Sequence, residues 1–120
     1  MIQKIELQDR RSPCPVACTL DLIGDRWTLL VIRDLVFGKQ RFDQFLASPE
    51  GIATNILSQR LRWLADHGLV ERTQDPDDGR KVIYSLTSKG KALRKILAAV
   101  ADFGMKNVAE TQVGKDYQTP

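Results

Sequence analysis

The chain has 120 residues, a formal net charge of +3 and an ordinary apolar content of 42% with only 7% aromatics. That bounds it to one domain with a modest core and little material left for a deep substrate cavity. No stretch approaches the ~18 uninterrupted apolar residues of a membrane span. The start "MIQKIELQDRRSP" lacks the apolar core of a secretory leader, so a cytoplasmic protein is expected.

Residues 1–12 are polar and aperiodic and predict an arm, ahead of a folded domain over 13–107 and a frayed tail over 108–120. In "CPVACTLDLIG", Val16, Ala17, Leu20, Leu22 and Ile23 recur at near-helical spacing, with Pro15 in the first turn and Gly24 as the stop. "DRWTLLVIRDLVFG" follows, with Asp25 as its expected cap and almost no polar face. A helix that apolar is packed on several sides, so it is the central one. "QRFDQFLAS" predicts a short helix through Phe42, Phe45 and Leu46, and "PEGI" a turn.

The helix that begins near Ala53 or Thr54 and stops at Gly68 carries an inner stripe of Leu57, Leu61, Leu64 and Ala65. Asn55, Ser58, Gln59 and Arg62 share the opposite side, with no acid until Asp66. "LVERTQ" and "RKVIYSL" predict two strands joined by the turn "DPDDG". Thr87 is the expected cap of a last helix with Leu93, Ile96, Leu97, Val100 and Phe103 along one stripe, its regularity fading after Gly104.

The order is helix, helix, short helix, turn, helix, hairpin, helix. A mainly α chain with a small β-hairpin wing in this order is laid out as a winged helix-turn-helix, whose second helix enters the major groove. That groove is ~12 Å wide and takes one helix. Asn and Gln pair with adenine edges, Arg with guanine, and Ser with several. Thr54, Asn55, Ser58, Gln59 and Arg62 are therefore the candidate base-reading residues. A plain solvated face is the competing reading, and composition alone does not separate the two.

Between Asp78 and Asp102 there is no acid, while Arg80, Lys81, Lys89, Lys91, Arg94 and Lys95 all fall there. Such a field favours a polyanionic partner. Arg80 and Lys81, leaving the hairpin turn, are candidates for phosphate contact, and Arg41 is a weaker one. Asp75, Asp77 and Asp78 make the turn acidic, so the wing's flank is expected on DNA and its tip off it. Arg60 lies nearer the inner stripe and is expected in an internal ion pair, with Asp34 a candidate partner. Trp63 is expected to pack.

Three quoted stretches, "CPVACTLDLIGDRWTLLVIRDLVFGKQRF", "ILSQRLRWLADHGLVER" and "YSLTSKG", together resemble the HxlR family of bacterial winged-helix transcriptional regulators, itself MarR-like. The likeness spans roughly residues 13–104. It implies a homodimer paired through the first and last helices, bound to double-stranded DNA at operators of roughly twofold symmetry. Repression is the usual outcome for a small regulator of this kind. The family often carries Ser-Pro where Ala53 and Thr54 stand here, so Thr54 is expected to cap and the helix to start one residue later.

The resemblance also implies a role for Cys14. Some relatives use a cysteine at this place to sense oxidants or electrophiles, and a helix N-terminus can lower a thiol pKa. A tolerated cysteine in a reducing compartment is the alternative. Cys18 is expected in the core. Nothing suggests an enzyme: there is no phosphate loop, no nucleophile elbow and one histidine, His67. No cofactor or metal is expected. An unidentified small effector at the dimer interface and a winged helix that binds protein instead of DNA both stay open.

Overall fold

The computed structural model describes residues 4–112. Residues 1–3 of the expected arm and 113–120 of the expected tail lie outside them. Six helices and a two-stranded hairpin follow in the order α1 (Pro15–Ile23), α2 (Thr28–Val36), α3 (Phe42–Leu46), α4 (Thr54–Asp66), β1 (Val70–Gln74), β2 (Val82–Leu86), α5 (Ser88–Lys91) and α6 (Arg94–Asn107).

Apolar spacing explains the core. α2 buries Val31, Ile32 and Leu35, and α4 packs on it through Leu57, Leu61 and Leu64. Phe45 of α3 is buried in the same cluster. Ile5, in the expected arm, packs against this cluster. Asp25 does cap α2, but from outside the helix. Its carboxylate accepts the amides of Trp27 at 3.0 Å and Thr28 at 3.1 Å, and the Thr28 hydroxyl as well. Partial burial works against its charge. The Thr28 hydroxyl, those amides and the Arg60 guanidinium outweigh it and hold its pKa below the usual carboxylate value.

Both central helices end in the same way. Gly38 and Gly68 sit at φ 99° and 72°, a left-handed conformation that suits glycine. After α4, the Gly68 amide bonds Ala65 O at 3.1 Å and the Leu69 amide bonds Leu64 O at 2.9 Å. This double bond pattern turns the chain directly into β1. β1 and β2 pair antiparallel with Val70 opposite Leu86 and Gln74 opposite Val82.

Three expectations change. α4 starts at Thr54 with Ala53 as its boundary residue, so Thr54 is the first helical residue and not the cap. Thr87 caps the four-residue α5, accepting the Gly90 amide at 3.1 Å, and the long last helix begins separately at Arg94. That helix runs past Gly104 to Asn107. No helix among the described residues is long and apolar enough to cross a membrane.

α6 buries none of its residues. Of its expected stripe only Leu93, just before the helix, is buried, while Val100 and Phe103 are 52% and 64% exposed. Val16 and Leu20 of α1, and Met105 and Val108, are also exposed large apolar residues.

Candidate nucleic-acid interface

The helix α4 turns its leucines inward, so the residues between them must face out. Thr54, Asn55, Ser58, Gln59 and Arg62 are all exposed. Among the described residues, no hydrogen bond or ion pair engages their side chains. Donors and acceptors in this state carry no internal obligation and are free to meet an external edge. Asp66, the first acid of the helix, lies at its far end.

Internal ties hold this helix in place from both ends. At its start, Arg33 of α2 donates to Glu50 through both terminal nitrogens at 2.8 Å, and to the buried Asp34 at 3.0 and 3.1 Å. Ser48 donates to Asp34, and Lys39 donates to Ser48 at 2.8 Å. The turn before α4 is thus fastened to the central helix, and the Arg33 hydrogen bond holds the Glu50 carboxyl below its usual pKa. Near its end, the Trp63 indole donates to Leu22 O at 2.8 Å, which gives Trp63 a packing role. Arg60 does form an internal pair, but with Asp25 at 3.6 Å. Asp34, the expected partner, is instead occupied by Arg33 and Ser48.

The wing residues divide. Arg80 has a side chain 92% exposed and pairs loosely with Asp78 at 3.3 Å, and Lys81 is exposed beside it. The Arg80 amide and guanidinium keep the Asp78 carboxyl below its usual pKa. The turn is less acidic toward solvent than its sequence implies, because Asp75 is 3% exposed. Its partner is Arg41, whose guanidinium bonds the Asp75 carboxylate. Arg41 is therefore tied to the wing turn through one guanidinium nitrogen, while its side chain stays 39% exposed.

Arg72 is a further cation of the wing. It is exposed on β1, opposite Tyr84, with no ion pair among the described residues. Its signal was a cation in an otherwise exposed strand. The basic run also splits, since Lys89, Lys91, Arg94 and Lys95 belong to α5 and α6. Lys95 borders a groove formed with Ile96, Ala99, Val100 and Phe103, on the apolar face of α6.

Cys14 is the boundary residue of α1 and is exposed. Its sulfur makes no capping hydrogen bond, and the nearby backbone amides of Ala17 and Val16 pull the thiol pKa below its ordinary value. Cys18 is half-buried, with its thiol 3.2 Å from the carbonyl of Ser12. It is thus at the margin of the core, not inside it.

A fastened helix with an open polar face, followed at once by a basic-flanked hairpin, defines a winged helix-turn-helix of the DNA-binding transcription regulators. The chain belongs to the HxlR-like helix-turn-helix family, whose model matches residues 22–112. An uncharacterised HTH-type transcriptional regulator of Synechocystis is 36% identical over 91 residues, covering 76% of this chain and 67% of that protein. The redox regulator HypR in its oxidised form superposes with a TM-score of 0.71 at 35% identity, covering 78% of this chain and 97% of that one. The reduced transcriptional regulator YodB of Bacillus subtilis gives 0.67 at 30% identity, covering 84% and 100%.

Proposed function

We propose that this transcriptional regulator binds double-stranded DNA sequence-specifically, as a homodimer on a roughly palindromic operator, and represses by occupying it. Thr54, Asn55, Ser58, Gln59 and Arg62 read base edges, while Arg80, Lys81 and Arg72 rest on phosphates. The observation that carries this reading is the exposed, unengaged polar face of α4, with no acid before Asp66. A protein-docking helix would present apolar groups there, and this one presents none. Selection from a randomised duplex pool tests it. Recovery of one enriched, roughly symmetric sequence is expected, and a pool that stays unenriched would sink the reading.

The second copy supplies the missing cover for α1 and α6. Phe103→Glu puts a charge on that apolar face, so a monomer in sedimentation and a loss of operator affinity of at least tenfold are expected. A variant that stays dimeric would place the pairing surface elsewhere.

Cys14 is the sensing residue in this reading. It is exposed, its thiol is acidified by the first turn of α1, and the similar HypR is named a redox regulator. Its modification at the edge of the paired surface changes operator affinity. Diamide should release the parent protein from DNA and leave Cys14→Ser bound. Equal release of both would show that Cys14 is not the sensor.

A further inference from the structure

Asp75 poses a problem. It is a carboxylate on the element expected to lie beside DNA, where a negative charge is a liability. It is nevertheless 3% exposed and fully engaged. One oxygen accepts from the Arg41 guanidinium and the other accepts the Asp77 amide at 2.8 Å. Its own amide donates to Lys81 O at 2.9 Å, which closes the wing turn. A buried carboxylate is tolerable when paired in this way, and removing its partner strands the charge.

Arg41 is anchored in turn. The Gln44 side chain accepts the amides of Gln40 and Arg41 at 2.8 and 2.9 Å, binding this segment to α3. The Tyr84 amide of β2 donates to Gln40 O at 2.8 Å, and the Tyr84 ring meets Phe45 of α3 edge-on, with centroids 6.2 Å apart. The wing is therefore gripped by the α3 region at two heights, its middle through Tyr84 and its turn through Asp75. A lone two-stranded hairpin has marginal order in water, so its angle to the rest of the fold depends on such ties.

We propose that Arg41 and Asp75 are a positioning pair that holds the wing at a fixed angle to α4, so that Asp75 promotes DNA binding in spite of its charge. The inference rests on the DNA-binding reading above. It differs in sign from the simpler view of two independent charges. In that view Arg41 attracts DNA, Asp75 repels it, and removal of Asp75 tightens binding.

The test is a double-mutant cycle by fluorescence anisotropy on the duplex recovered from selection, with the wild type, Arg41→Gln, Asp75→Asn and the double variant. Each single change should weaken binding about tenfold, and the double should be no weaker than the worse single, because both break one tie. Arg41→Lys, which keeps the charge, should recover part of the loss. Tighter or equal binding by Asp75→Asn, with additive effects, would overturn the pair and leave the regulator reading intact.

A second arm needs no DNA. Amide exchange at Tyr84 should quicken in both single variants while Ile32, in the central helix, keeps its protection. Unchanged exchange at Tyr84 would also overturn the pair. A wild type that enriches no duplex would instead remove the DNA-binding reading on which the proposal stands.

Discussion

Arg62→Ala should cost about 1–3 kcal/mol of operator affinity and flatten the preference at one base position in each half-site. The side chain is exposed on the outer face of α4, one turn from Ser58 and Gln59, and no ion pair engages it among the described residues. A guanidinium in that state offers a planar pair of donors, which matches the two acceptors on a guanine edge. The measurement is anisotropy against single-base variants of the selected duplex across a salt series. Lys81→Ala is the control. It should weaken every duplex alike and lower the salt slope by about 1, because a phosphate contact releases counterions without reading sequence. A loss at Lys81 confined to one base position would contradict its assignment to phosphate. A uniform loss at Arg62 would move that residue to the backbone as well.

Gly90→Ala should destabilise the fold by about 3 kcal/mol or more, through overpacking against atoms that cannot yield. A Cβ at this buried position would stand 2.0 Å from the Leu69 carbonyl oxygen and 3.0 Å from a methyl of Leu86. The first of these is backbone at the base of the wing. That same carbonyl accepts the Thr87 amide at 3.1 Å, and the Thr87 hydroxyl donates to Gly68 O at 2.6 Å. α5 is thus clasped to the point where α4 becomes β1. Thermal unfolding should show a midpoint lowered by roughly 10–20 °C, since a chain of this length falls between ~4–8 °C per kcal/mol for the smallest domains and ~2–4 °C for larger ones. Gly79→Ala is the comparison, since a Cβ there meets nothing within 4 Å. Similar midpoints for the two variants would mean that the helix shifts freely away from Leu69.

Helix spacing identified α1 and α4, whose apolar residues return every three or four positions, and α2 was legible as a nearly unbroken apolar run between Asp25 and Gly38. The Asp-Gly turn between two β-prone runs located the hairpin. The outward face of α4 was legible for the same reason: once Leu57, Leu61 and Leu64 are inside, Asn55, Ser58, Gln59 and Arg62 cannot be. The Thr-x-x-Gly of "TSKG" was legible as a motif only, and its cause is a contact made by Leu69.

Other features arise from groups far apart in sequence, and no local pattern carries them. Arg41 and Asp75 are separated by 34 positions, and each alone looks like a surface charge. Pairing changes the meaning of both, since a guanidinium bonded to a buried carboxylate also ties two distant segments together. Arg60 meets Asp25 and not Asp34 because the Arg33, Ser48 and Asp34 side chains already satisfy one another across the turn that leads into α4. The stripe of α6 is the reverse case. Its amphipathic period is plain in the sequence, and the period says only that a face must be covered. Among the described residues tertiary structure covers only the start of that stripe: Leu93 and Ile96 join the core around α2 and α4, and Val100 and Phe103 remain in solvent. Hydrophobic periodicity determines which side of a helix seeks burial, whereas the packing of the whole chain determines what is left to bury it.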